Sequence, residues 1–106
     1  MRTLNLKVEG QKLTLEPLEA PIIGGTKGGY LRLNFSLGSE WSGYNIAVSF
    51  WSLDGQETAV RLRPGFPVPV PDELTDDRMF RVSLTGARGD VRITTNKVSI
   101  RQRIMR

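Results

Sequence analysis

The chain of 106 residues has room for one domain, and its composition of 39% hydrophobic and 25% charged residues is typical of a globular protein. No apolar run approaches the ~18 residues of a membrane-spanning helix, and no continuous apolar stretch follows Met1 as a secretion signal requires. We therefore expect residues 1–106 to form a single soluble domain that folds in the cytoplasm without membrane insertion.

The chain contains no cysteine and no histidine, and its formal net charge is +4. It therefore lacks disulfides, the most nucleophilic side chain, and the commonest general base and metal ligand. These absences disfavour an enzyme, and we expect no catalytic residue, no cofactor and no bound metal.

The first half of the sequence alternates between apolar and polar residues, as β-strands with one buried face do. The alternation predicts strands at 4–8, 13–15, 30–37 and 46–53. Residues 17–29 lie between the second and third of these and are rich in glycine and proline, which predicts a loop.

In the second half, Asp54-Gly55 is the strongest two-residue hairpin signal, and it joins the strand at 46–53 to a returning strand at 58–63. Alternate prolines from Pro64 to Pro71 cannot donate backbone hydrogen bonds, which confines this segment to a sheet edge or an extended connection. Residues 72–75 have room for one helical turn, and the last two strands are predicted at 79–85 and 91–104. About seven short strands without a long helix favour an antiparallel β-sandwich over a small barrel.

The inward faces of these strands predict a core of eight apolar side chains. They are Leu33, Phe35, Val48, Phe50, Val82, Leu84, Ile93 and Ile100.

Two short segments superficially resemble ligand sites. The carboxylates between Asp72 and Asp77 are candidates for holding calcium or flanking a glycosidic bond, but their spacing matches no known ligand loop, and a solvated acidic loop explains them better. The segment Gly24–Gly29, with Lys27, suggests a phosphate cradle. Such a loop needs a helix after it, whereas a strand follows here, so a flexible loop is favoured.

Half of the eight aromatic residues lie within eleven positions, from Trp41 to Trp51. Packing in the core or at an interface is favoured for them over a platform that stacks sugars or bases. The residues chosen as candidate partner or ligand contacts are Trp41, Tyr44 and Trp51, followed by Arg101 and Arg103.

The net positive charge admits a nucleic-acid binder, with arginines toward the C-terminus as its contacts. These arginines are Arg92, Arg101, Arg103 and Arg106. Alternating arginines on a strand are usually its solvated face, however, so nucleic-acid binding is disfavoured.

Six short motifs follow one another in order along nearly the whole chain. They are Leu4–Gly10, Tyr30–Phe35, Trp41–Tyr44 leading to Ala47–Phe50, Val70–Leu74, Phe80–Leu84 and Ile93–Val98. In this order they resemble the small immunoglobulin-like module that begins many tail, baseplate and fibre proteins of phages and prophages of Gram-positive bacteria. The resemblance implies an immunoglobulin-like sandwich and a non-catalytic role in attachment or capsid decoration. Its partners would be other virion structural proteins, and its location the virion, after synthesis in the bacterial host cytoplasm.

A sandwich leaves edge strands that can pair with a neighbouring protein, and prolines would block one edge while leaving another available. Such a module would join its neighbour at the available edge, so its assembly would be directional. The sequence leaves open whether copies of the chain also associate with one another. The alternative is a carbohydrate-binding β-sandwich that uses exposed aromatics, with a host surface glycan as its ligand.

Overall fold

The computed structural model describes residues 1–63 and 65–104, which form nine strands. The strands are β1 (Arg2–Glu9), β2 (Lys12–Leu15), β3 (Leu31–Leu37), β4 (Asn45–Trp51), β5 (Glu57–Arg61), β6 (Val68–Pro69), β7 (Met79–Arg88), β8 (Val91–Thr94) and β9 (Val98–Arg101). Two single-turn 3-10 helices lie at Ser39–Trp41 and Asp72–Leu74. Within the described ranges, no helix is long and apolar enough to cross a membrane.

The strands form two sheets, which confirms the predicted all-β sandwich. The first sheet has the order β2-β1-β3-β6, and the second has the order β5-β4-β7, with β8 and β9 both paired to the far side of β7. The described residues form nine strands instead of about seven, for two reasons. The proline-rich segment contributes the short β6, and the predicted last strand is divided into β8 and β9. Of the proline-rich segment, Pro64 lies outside the described residues.

One strand pair departs from the antiparallel arrangement that the sequence predicts. Strands β1 and β3 pair in parallel, with Leu4 beside Leu33 and Leu6 beside Phe35. Parallel neighbours require a long connection, because the chain must return to the end at which the first strand began. Residues 10–30, which comprise β2 and the glycine-rich loop, provide this return.

The core lies between the two sheets, where each strand contributes alternate side chains. Six of the eight predicted core residues are buried: Leu33, Val48, Phe50, Val82, Leu84 and Ile100. Phe35 and Ile93 are only partly buried and pack against this core from its margin.

The difference between Phe50 and Phe35 gives a test of the packing. Phe50 is fully buried, and its ring centroid lies 6.3 Å from that of Phe80. Phe50→Ala should lower the free energy of unfolding by about 3–5 kcal/mol, because it removes buried apolar area and leaves a cavity. Phe35→Ala is the matched control and should cost clearly less in the same urea titration. Equal losses for the two variants would contradict this packing.

Candidate functional site

Trp41 is a core residue, so its selection as a surface contact is wrong. It is 2% exposed, and its indole Nε1 donates a hydrogen bond to the backbone oxygen of Gly10 at 2.8 Å. Its ring packs so closely on Gly86 that a β-carbon added there would lie 2.9 Å from a ring carbon. Trp41 thus connects the turn after β1 to strand β7, and this structural role accounts for its large side chain.

Tyr44 is half-buried beside Trp41, with the two ring centroids 6.4 Å apart. The guanidinium carbon of Arg88 lies 5.1 Å from the centroid of the Tyr44 ring, at the distance of a cation–π contact. Contacts within the chain therefore already engage this ring.

Trp51 lies on the outer face of the five-stranded sheet and is partly exposed. Its indole Nε1 donates to the Ser83 hydroxyl at 3.1 Å, and the Lys97 ammonium lies 3.8 Å from the ring centroid. The edge of the ring and one of its faces are thus engaged within the protein, which fixes Trp51 in place.

Arg101 and Arg103 belong to the folded domain and have exposed side chains. Arg101 lies in β9 opposite Met79, whereas Arg103 uses its backbone to bind the loop before β3. The Arg103 amide donates to Ile22 at 2.7 Å, and its carbonyl accepts from Gly24 at 2.9 Å. The candidate Arg106 lies outside the described residues.

The outer face of the five-stranded sheet carries most of the chain's excess positive charge. The cross-strand register places four arginines on this face, and Lys97 covers Trp51 beside them. The arginines are Arg61, Arg81, Arg92 and Arg101. Among the residues of this face in the five strands, Glu57 is the one carboxylate. We call this surface the arginine face.

The centre of the arginine face is flat, because its residues are small. They are Ala47, Ser49, Ala59, Ser83 and Thr85, which occupy neighbouring positions on β4, β5 and β7. The outer face of the other sheet differs, because Lys7 and Glu9 form an ion pair there at 2.8 Å. The Glu9 carboxylate raises the pKa of Lys7, mainly through their hydrogen bond, and Lys7 lowers the pKa of Glu9 in the same way.

The outer edge of β6 is blocked by prolines. The Val70 amide donates to Leu31 of β3 at 3.0 Å, so the alternate residues of this segment direct their backbone nitrogens away from the sheet. Those residues are Pro67, Pro69 and Pro71, none of which has an N–H group. A strand that approached this edge would find no backbone donors there.

The edge of β2 is occupied by a side chain from the opposite sheet. Asn96 accepts a hydrogen bond from the Leu13 amide at 2.8 Å and donates one to the Leu13 carbonyl at 3.1 Å. Its amide group thus pairs with Leu13 as a neighbouring strand would. The Gln11 side chain adds a bond to the Thr94 carbonyl at 3.0 Å and joins the two sheets on the same side.

Asn96 reaches β2 because it lies in a β-bulge. Three residues, 95–97, lie opposite Ser83 and Leu84 of β7, so the ladder is interrupted between β8 and β9. The Thr95 hydroxyl accepts a hydrogen bond from the Leu84 amide at 2.9 Å and partly repairs the interruption. A bulge of this kind bends an edge and disrupts the regular spacing of its backbone groups.

Strand β5 is the longest edge that has none of these obstructions in the described part of the chain. The Leu62 amide donates to Ile46 and the Ser52 amide donates to Gln56, both at 2.9 Å, and these bonds fix the phase of the β4–β5 ladder. In this phase Thr58 and Val60 bond to β4, and the remaining three residues direct their backbone N–H and C=O groups outward. Those three are Glu57, Ala59 and Arg61, and all of them are exposed.

The acidic turn and the glycine-rich loop bind each other. The Lys27 ammonium lies 3.0 Å from the Asp76 carboxylate, and the Gly28 amide donates to the Asp72 carboxylate at 3.0 Å. The described residues contain no cluster of three or more acidic groups suited to a metal ion. These contacts account for both segments as parts of the fold.

Two exposed aromatic residues were not selected from the sequence. Phe66 is 66% exposed and Tyr30 is 49% exposed. Phe66 stands between Gly65 and Pro67, and this setting is a signal that it lies outside a packed strand. Tyr30 directly precedes β3, where the sequence pattern predicts the first residue of a strand. The pattern therefore gives no signal that Tyr30 is exposed.

Asn96→Ala tests whether this side chain closes the β2 edge. The variant should lower the free energy of unfolding by about 1–3 kcal/mol, because the partly buried backbone groups of Leu13 lose both of their partners. Asn34→Ala is a control, since its partly exposed side chain makes one 3.3 Å bond to Asn5 and its loss should cost within about 0.5 kcal/mol. Equal stabilities of the two variants in chemical denaturation would contradict the role of Asn96.

Comparisons of the chain with protein-family models, with curated proteins and with solved structures found no match.

Proposed function

We propose that this protein is a non-catalytic attachment module of a phage particle, which joins other virion structural proteins through the open edge of β5. A tail, baseplate or fibre assembly fits this role, as does a head fibre or another capsid decoration. The observation that carries the proposal is the contrast between the edges. Prolines block β6, Asn96 occupies β2 and a bulge interrupts the edge formed by β8 and β9, while β5 stays regular and exposed.

An open edge recruits a partner because its unpaired backbone groups accept an added strand. The outward groups of Glu57, Ala59 and Arg61 provide donors and acceptors in regular alternation. Because the edges at β2, β6 and β8–β9 are obstructed, addition of a partner strand is favoured at β5. This selectivity gives the directional assembly that a particle component needs.

The arginine face extends this contact surface, because Arg61 belongs to both the face and the edge. Positive charge around a flat centre of small side chains favours a partner protein with acidic surface groups. A partner strand paired to β5 would place its neighbouring residues beside this face.

Contacts of the three selected aromatic rings argue against the carbohydrate alternative. Trp41 is buried, Arg88 lies over the Tyr44 ring and Lys97 lies over the Trp51 ring. A sugar would have to displace these cations in order to stack on Tyr44 or Trp51 at the engaged faces. The geometry therefore supports protein contact better than glycan contact.

Purified particles provide the direct test of the virion role. Particles induced from a strain that encodes this chain should contain it at a fixed ratio to the major structural proteins, as measured by quantitative mass spectrometry. A secreted non-virion protein from the same strain serves as the control for carry-over. Absence of the chain from washed particles would contradict the proposal.

Capture of structural proteins tests the contribution of the β5 edge. Ala59→Pro should abolish capture of disrupted particle proteins, because it removes an outward N–H without removing a bond to β4. Ala59→Ser is the matched control that retains the N–H, and it should capture as the unaltered chain does. Thermal unfolding verifies that both variants fold. Capture is repeated at high salt, because binding of nucleic acid to the arginines weakens there while strand pairing persists. Equal capture by the two variants would show that the edge is not the contact.

A further inference from the structure

We infer that β5 pairs with β5 of a second copy of this chain, so that two five-stranded sheets join into one continuous sheet. The inference rests on the proposed joining function: in the absence of another structural protein, the same edge of β5 pairs with a second copy of the chain. It is supported by the order of charges along β5. When two β5 strands run in opposite directions, Glu57 of each copy faces Arg61 of the other.

The register follows from the backbone. In an antiparallel pair centred on Ala59, the outward-directed groups of Ala59 meet those of Ala59 in the second copy. The same register places Glu57 opposite Arg61 of the second copy, and Arg61 opposite its Glu57. These are the residues whose N–H and C=O groups have no partner in β4, so each opposed pair exchanges two hydrogen bonds.

The side chains agree with this register. Glu57 and Arg61 are exposed and of opposite charge, so both copies contribute the same pair of cross-strand ion pairs. Between these pairs, the small Ala59 lies opposite itself and presents no steric obstacle. On the inner face, Thr58 lies opposite Val60 of the second copy. A shift of the register by two residues would lose both of these ion pairs, because the two-fold axis relates one to the other.

The same pairing leaves the arginine face available. A two-fold axis perpendicular to the sheet places the outer faces of both copies on one side. Arg81, Arg92 and Arg101 lie on β7, β8 and β9, away from the joined edge. The dimer would therefore present a larger cationic surface to further proteins while its open edges are closed.

Charge reversal tests the register directly. Glu57→Arg or Arg61→Glu alone should raise the dissociation constant of the dimer by about tenfold or more, because each change replaces two attractive pairs by two repulsive ones. The double variant E57R/R61E should restore dimerisation, since it exchanges the charges within each pair. Arg92→Glu alters the charge of the same face away from the edge and should dimerise as the unaltered chain does. The measurement is sedimentation equilibrium over a wide concentration range.

A single introduced cysteine traps the same pairing, even when it is weak, because the chain has no cysteine of its own. In the proposed register, two hydrogen-bonded Ala59 residues have Cα atoms about 5.5 Å apart, which is a distance that a disulfide spans. Ala59→Cys should therefore form a covalent dimer under mild oxidation and release it on reduction. Ser99→Cys, on the exposed edge strand β9, is the matched control and should stay monomeric.

Three outcomes of the variant experiments would overturn the inference. They are a dimer insensitive to the single charge reversals, a double variant that stays monomeric, and a covalent dimer of the Ser99→Cys variant without one of the Ala59→Cys variant. A chain that is monomeric throughout, yet captures virion proteins through Ala59, would also overturn it. That last outcome would leave the proposed attachment function intact. Failure of the attachment function shows instead as absence from purified particles.

Discussion

The need to satisfy or block the backbone groups at the sheet edges shapes this domain more than any other constraint. A two-sheet sandwich exposes edge strands, and every unpaired N–H and C=O along them invites another chain. Three of the edges here are handled by different means, with prolines beside β6, a side-chain amide on β2 and a bulge between β8 and β9. Strand β5 lacks each of these devices in the described part of the chain, and for this reason we propose it as the surface for association.

The obstruction of the β2 edge also explains the bulge between β8 and β9, which costs the domain regular backbone hydrogen bonds. The bulge interrupts a regular ladder, but it aims Asn96 across the gap between the sheets, where one amide group serves both backbone groups of Leu13. Trp41 has a related role at the turn after β1, since it bonds to Gly10 and packs on Gly86. Both residues connect distant segments by specific hydrogen bonds as well as by packing. They supply this connection in a chain that has no cysteine to form a disulfide.

Local pattern predicted much of the fold and little of the surface. Alternation identified the strands and six core residues, and prolines correctly marked β6 as an edge, because both signals depend on neighbours in sequence. The parallel β1–β3 pair and the bond from Asn96 to Leu13 depend on distant segments, which local pattern cannot pair. Local pattern does not place Trp41 in the core, because an aromatic near a turn has the same sequence signal whether it faces inward or outward. The open edge emerged only from the complete set of strand pairings.

Amide hydrogen exchange, measured residue by residue by NMR, tests most directly whether β5 is the open edge. In dilute solution, the Ala59 amide should exchange rapidly, while the amides of Val60, bonded to β4, and of Leu13, bonded to Asn96, should be protected. Raising the protein concentration should slow exchange at Ala59 as the edge pairs. Protection of Ala59 equal to that of Val60 in dilute solution, or exchange at Leu13 as fast as at Ala59, would contradict this account of the edges.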